Sequence, residues 1–213
     1  MSDEFLRSLS ADLAPVSRWT VARRLALGMS GGVIVSAVLM LVLLGPRPDM
    51  DQSMTTAMFW MKLAYALAFA VIAGFAAERL ARPAASARGR IEWLAAPILL
   101  VIVIAAVRLA AAAPDSRTLM LMGQSARVCP WRILFFALPP LAVLVWAMRG
   151  LAPTRLREAG AAIGLAAGGA GAFVYALACT ESTAPFLAIW YTLGIAACAA
   201  LGWALGPLVL RWR

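Results

Sequence analysis

The chain has 213 residues, 63% of them hydrophobic and only 14% charged, with a net charge of +9 and no histidine. A soluble domain carries about a quarter charged residues and distributes its apolar residues in alternation, whereas here they run in long blocks, which excludes a soluble enzyme. The lack of histidine removes the commonest metal ligand and general base, and with it most haem and zinc chemistry.

Residues 1–24 do not read as a secretory signal peptide, since they hold Asp3, Glu4 and Asp12 and lack a small-residue cleavage site behind a short apolar core. They form an arm whose Ser2 is placed to cap a helix, with Asp3 and Glu4 favourable in its first turn. Phe5, Leu9, Leu13 and Val16 then fall at i, i+4, i+8 and i+11, an apolar stripe that Pro15 cuts short. Such a helix lies on the membrane or docks into a partner's groove. A membrane-surface helix usually has a basic polar face, but this one shows Asp3, Glu4, Arg7 and Asp12, which favours a basic or mixed protein partner.

Six apolar blocks follow, at 25–44, 59–77, 93–112, 133–148, 159–178 and 186–210. Each is near the roughly 20 residues that cross a hydrocarbon core, so the expected fold is all-α, a six-helix transmembrane bundle. The fourth is the shortest and can start nearer Cys129. Pro97, Pro139 and Pro140 fall inside blocks, where they kink helices whose freed carbonyls neighbouring helices must satisfy.

Charge sets the orientation. Arg7, Arg18, Arg23, Arg24, Arg79, Arg82, Arg88, Arg90, Arg149, Arg155, Arg157, Arg211 and Arg213 fall on one side, and only Arg47, Arg117, Arg127 and Arg132 on the other. The positive-inside rule places both termini in the cytoplasm of a bacterium, with the chain in its inner membrane. A pI near 10.9 would also suit nucleic acid, but arginines at block ends belong to membrane orientation, and no direct nucleic-acid contact is expected.

Gly28 and Gly32, Gly160, Gly164 and Gly168, and Gly202 and Gly206 recur at four-residue spacing, which lets helix backbones approach closely in lipid. Packing within one bundle is the first reading, and a homodimer through the fifth helix is the second.

Cys129 and Cys179 lie at near-equal chain distances on either side of Pro153, the centre of the short connection between blocks four and five. In an antiparallel hairpin both thiols then reach the periplasmic surface, where a structural pair (a stapling disulfide or two inert residues) and a sensing pair are equally open readings from spacing alone. Cys198 falls mid-block as an ordinary buried thiol. Lys62 and Arg108 lie about one turn inside the outer ends of blocks two and three. Such charges snorkel or mark function, and for Lys62 snorkelling is the simpler expectation. Facing inward, Lys62, Arg108 and Arg132 would tune the thiols. Asp49, Asp51, Asp115 and Glu181 share that face and either pair with those cations or, with Cys129 and Cys179, offer a mixed sulfur and oxygen site for a soft metal ion. No CxxC, HExxH or phosphate-binding glycine motif and no catalytic carboxylate pair occurs, so enzymatic turnover is not expected.

Residues 9–16 (LSADLAPV), Arg47-Pro48-Asp49, Phe59-Trp60-Met61-Lys62, Cys129-Pro130, Ala152-Pro153 before Glu158-Ala159-Gly160, Cys179, Trp190-Tyr191 and Gly206-Pro207 occur in this order. The pattern resembles the NrsF family, negative regulators of sigma F, along nearly the whole chain. The resemblance implies a proteobacterial membrane anti-sigma factor that holds an extracytoplasmic-function sigma factor and releases it under heavy-metal or oxidative stress. It implies sensing through Cys129 and Cys179, and sigma binding in residues 1–20, where Phe5, Leu6, Leu9, Asp12 and Leu13 are the best matches. No cofactor is implied beyond a transient heavy-metal ion. The rival from another class is a small transporter or a membrane thiol oxidoreductase. A transporter would show repeats or broken helices, for which only Pro139-Pro140 is a candidate. An oxidoreductase would need a second cysteine pair.

Overall fold

A computed structural model describes residues 19–83, 86–151 and 153–211. Six helices are long and apolar enough to cross a membrane: spans one (Thr20–Leu43), two (Ala57–Leu80), three (Glu92–Ala111), four (Cys129–Arg149), five (Leu156–Ala176) and six (Ala184–Val209). No strand occurs among the described residues. The expected blocks are all present, with their ends moved by several residues. Span one starts at Thr20, so Arg23 and Arg24 belong to its first turns and not to the arm. Span four starts at Cys129, because Pro130 sits in a first turn that needs no N–H from it.

Span five is the centre of the bundle, and its composition explains why. Between lipid-solvated helices the hydrophobic effect gives little drive, so close backbone approach decides which faces meet. A Cβ on Gly160 would lie 2.1 Å from the Gly202 carbonyl oxygen of span six, and one on Gly164 would lie 2.3 Å from the Cys198 carbonyl oxygen. Gly169 is set in the same way against Ala70 of span two, and Gly171 against Ala137 of span four. The small-residue faces of span five are thus taken up inside the bundle. Packing within one bundle, the first reading of the glycine spacing, accounts for Gly160, Gly164 and Gly168. Cys198 is buried in this same contact.

Span one packs on span four through the proline kink. Pro140 has no N–H, which frees the Phe136 carbonyl one turn earlier. Ser36 Oγ donates to that carbonyl, and Gly32, one turn before Ser36, lies against the Pro140 backbone. An unpaired carbonyl here would cost about 1–3 kcal/mol, so the serine and the proline are matched partners.

Span three is peripheral. It rests mainly on the 184–191 segment, and within its α-helical part only Val101 and Ala105 are buried. Leu99, Leu100, Ile102, Val103 and Val107 face outward, as suits lipid.

The two ends differ in chemistry. At the basic end, Arg24 lies 5.4 Å from the Trp146 ring centroid and against Gly150, and Arg157 lies 4.4 Å from that of Trp203. Arg149 Nε donates to the Val209 carbonyl, tying spans four and six. At the thiol end, two of the connections contain short helices, Met50–Met54 and Pro114–Met122. The second has Pro114 at its start, Asp115 in its first turn and Gly123 at φ 51° after its end, a complete set of start and stop signals.

Candidate functional site

The site forms where span five ends. A helix leaves its last carbonyls without intrahelical donors, and its C-terminus carries partial negative charge. Span five ends at Ala176, and residues 177–181 run on irregularly with their carbonyls open to donors. Two cations collect there. Lys62 Nζ donates to the Cys179 and Glu181 carbonyls, each at 2.9 Å. Arg47 Nη1 donates to the Cys179 carbonyl at 3.3 Å and Nη2 to the Thr180 carbonyl at 3.4 Å, while its backbone N–H reaches Leu177 O at 3.1 Å. Lys62 is 2% exposed, so it does not snorkel: its charge is met by carbonyl dipoles inside the protein.

Arg47 is itself held by Asp49, with Nε to Oδ1 at 2.8 Å and Nη2 to Oδ2 at 2.7 Å. These bonds hold the Asp49 carboxyl well below the ordinary carboxylate range, and the same pairing raises the Arg47 pKa. Ser53 Oγ adds a donor to Asp49 at 3.1 Å.

Both expected thiols are in this region, and both are free. Cys129 opens span four, and Cys179 follows span five with its carbonyl taken by Lys62 and Arg47. The hairpin argument places both at the same end of the bundle, and the structure has them there. That argument errs on their exposure, which is 0% for Cys129 and 3% for Cys179. Adjacent to them in the chain, a clasp joins the 123–128 turn to the 180–190 segment. Glu181 Oε1 accepts from Gln124 N at 2.8 Å, Ser125 N at 2.9 Å and Ser125 Oγ at 3.0 Å. Gly123 makes room for that carboxylate, since a Cβ there would lie 2.3 Å from Oε2. Thr183 Oγ1 donates to Met120 O at 2.7 Å, and Trp190 Nε1 to Leu121 O at 2.8 Å.

Below the thiols is an aromatic stack. Phe136 lies 6.3 Å from Tyr175, and Tyr175 6.2 Å from Tyr191, centroid to centroid. Arg132 caps Tyr175 at 6.0 Å and Lys62 caps Tyr191 at 5.8 Å. Tyr191 closes a π-helical turn, Leu187–Tyr191, at the outer part of span six.

Of the three expected tuning charges, Lys62 and Arg132 are in the site and Arg108 is not. Arg108 is exposed and lines a separate cavity of about 590 Å³ with Thr56, Met58, Met61, Met120, Ser182 and Thr183. The cause is the peripheral seat of span three, which keeps it away from spans four and five. The mixed sulfur and oxygen metal site is not assembled either. Asp49 is engaged by Arg47 and Glu181 by the turn amides, and no group of three or more Cys, Asp or Glu is gathered among the described residues. What remains for a thiophilic metal ion is the pair Cys129 and Cys179. Phe5, Leu6, Leu9, Asp12 and Leu13 lie outside the described residues. Arg47, Tyr175, Tyr191 and the clasping role of Glu181 were not expected. Arg47 and Tyr191 do occur in the ordered motif pattern, and that is the signal that pointed to them.

Removing the clasp should uncover the thiols. One hydrogen bond to a charged group contributes about 1.5–3 kcal/mol, and 1.4 kcal/mol is tenfold in an equilibrium. Glu181→Ala should therefore raise the alkylation rate of Cys129 and Cys179 by a membrane-impermeant maleimide at least tenfold, leaving Cys198 unchanged. Gel-shift kinetics on intact membranes check this, and equal rates would show that the loops open without it.

Residues 9–212 match the family model described as "Negative regulator of sigma F". The chain is 38% identical over 214 residues to the anti-sigma-F factor NrsF of Caulobacter vibrioides (strain NA1000 / CB15N), covering 99% of each chain. It is 37% identical over 211 residues to the probable anti-sigma-F factor NrsF of Azospira oryzae (strain ATCC BAA-33 / DSM 13638 / PS), again covering 99% of each. No solved structure matches it. With the family model spanning nearly all of it and two full-length relatives above a third identical, the chain belongs to the NrsF family of negative regulators of sigma F.

Proposed function

We propose that this protein is a membrane anti-sigma factor that holds an extracytoplasmic-function sigma factor at the bacterial inner membrane and releases it when Cys129 and Cys179 react with an oxidant or a heavy-metal ion. Both termini and the basic end face the cytoplasm, and the thiol end faces the periplasm. The sigma factor docks on the apolar stripe of the arm, with Phe5, Leu6, Leu9 and Leu13 as anchors and Asp12 at the rim.

The observation that carries this reading is the placement of two buried thiols at the less basic end of the bundle, in a chain of this family. Their place on the helices supports a route from signal to partner. Cys129 begins span four, and span one rides on span four along Gly28, Gly32 and Ser36 down to Arg24 against Trp146 and Gly150. The arm leads directly into span one. Packed helices move as rigid bodies, so a bond between Cys129 and Cys179 would shift span four and carry the root of the arm with it. A transporter is not favoured, because Pro140 of the Pro139-Pro140 break is packed against Gly32 of span one.

Co-purification from detergent with the sigma factor encoded nearby tests the reading, and the two should elute together at equal stoichiometry. Phosphatase fusions test the orientation. They should be active within residues 113–132 and silent at Arg213, and no co-elution or an active C-terminal fusion would overturn the proposal.

A further inference from the structure

Far from the thiols, the start of span one and the end of span four enclose a groove of about 620 Å³. Trp19, Arg23, Arg24 and Leu27 line one side of it, and Val143 and Trp146 the other. Its chemistry changes with depth. Leu27 lies about one turn further into span one than Arg23, and Val143 about one turn further into span four than Trp146. The floor is therefore apolar and the mouth basic. Trp19 and Trp146 are both exposed beside that mouth, and tryptophan settles at the level of lipid headgroups.

The positive charge at the mouth is uncompensated. Elsewhere at this end Arg82 pairs with Glu78, Arg155 pairs with Glu158, and Arg149 donates to the Val209 carbonyl. Arg23 and Arg24 have no carboxylate partner among the described residues. The first turn of span one also holds no acidic side chain, so the positive end of its helix dipole adds to the two guanidinium groups. Arg24 is nevertheless fixed in place, over the Trp146 ring and against Gly150. Guanidinium groups take phosphate oxygens through paired N–H···O bonds. A free anion would satisfy the mouth and leave the apolar floor uncovered. A zwitterionic lipid would cover the floor, but its own cation competes with the arginines for the phosphate.

We infer that this groove binds an anionic phospholipid, with its phosphate on Arg23 and Arg24 and the upper part of an acyl chain on Leu27 and Val143. Basic recesses between spans at a membrane surface suit such headgroups. The site makes no use of the thiols. A lipid seated there fixes the height at which span one enters the bilayer, and so holds the root of the arm at the membrane surface.

The test titrates the full-length protein in detergent with dioleoyl phosphatidylglycerol or dioleoyl phosphatidylethanolamine and reads bound lipid by native mass spectrometry. The first phosphatidylglycerol should bind about tenfold or more tightly than the first phosphatidylethanolamine, since each arginine beside an anionic headgroup favours it several-fold. Arg23→Gln with Arg24→Gln should bring the two lipids within about threefold of each other. Arg82→Gln with Arg155→Gln removes the same charge from the same end and should keep the preference. Phosphatidylglycerol should also raise the thermal midpoint of the wild-type protein and leave that of the Arg23, Arg24 variant unchanged. Equal affinity of the wild-type protein for the two lipids would overturn the inference. So would an equal loss of preference in both double variants, which would mean diffuse charge and no built site. Displacement of the lipid by millimolar sodium phosphate, beyond that caused by sodium chloride of equal ionic strength, would overturn it by making a soluble anion the occupant.

Discussion

Replacing Phe5 and Leu9 by alanine in the full-length protein should switch on the sigma-dependent regulon without any stress. The two residues are four apart in the sequence, the spacing expected of an apolar helical stripe. Full enclosure of two such side chains in a partner groove contributes about 2–4 kcal/mol. At 1.4 kcal/mol per tenfold, binding weakens at least tenfold. A promoter fusion read beside the membrane level of the protein checks this. Unchanged expression at a normal protein level would move the sigma-binding surface to the connections at the basic end.

A second large effect is expected at the contact between spans five and six. Gly160→Leu should prevent the protein from accumulating in the membrane. Its Cβ would meet the Gly202 carbonyl oxygen at 2.1 Å, and that neighbour is backbone, which gives way only if the helices separate. Overpacking in a well-packed core costs about 1–3 kcal/mol or more, and separation would also loosen the contacts of Gly164 and Gly206 along the same seam. Gly31→Leu is the control, because nothing lies within 4 Å of its Cβ position. The detergent-solubilised control should unfold at the wild-type temperature. Normal accumulation of Gly160→Leu would mean that span five is not held this tightly.

Much of this architecture was legible in the sequence because bilayer thickness sets block length and lipid cannot satisfy a freed carbonyl. Pro140 and Ser36 show how far that reasoning reaches: the kink implied a donor on a neighbouring helix, and one is there. The thiol pair was legible because hairpin arms of equal length end at equal height. What the sequence did not show was direction around each helix. Lys62 shares a buried stripe with Phe59, Ala66, Phe69 and Ala73, yet nearly every position of span two is apolar, so no polar face marks which side is lipid. Arg108 likewise shares a face with Val101 and Ala105, and only the peripheral seat of span three decides that this face meets the 184–191 segment and not the thiols. Nor can spacing reveal the burial of the cysteines, or a Glu181 carboxylate that reaches amides more than fifty residues away in the chain.

The central claim is that chemistry at Cys129 and Cys179 frees the sigma factor. The most direct measurement is the amount of sigma factor that stays bound to the immobilised membrane protein after treatment with a hydroperoxide or with cadmium. The wild-type protein should lose its sigma factor under both treatments, while the Cys129→Ser, Cys179→Ser double variant should bind it normally and keep it. A double variant that releases its sigma factor as fully as the wild type would contradict the account.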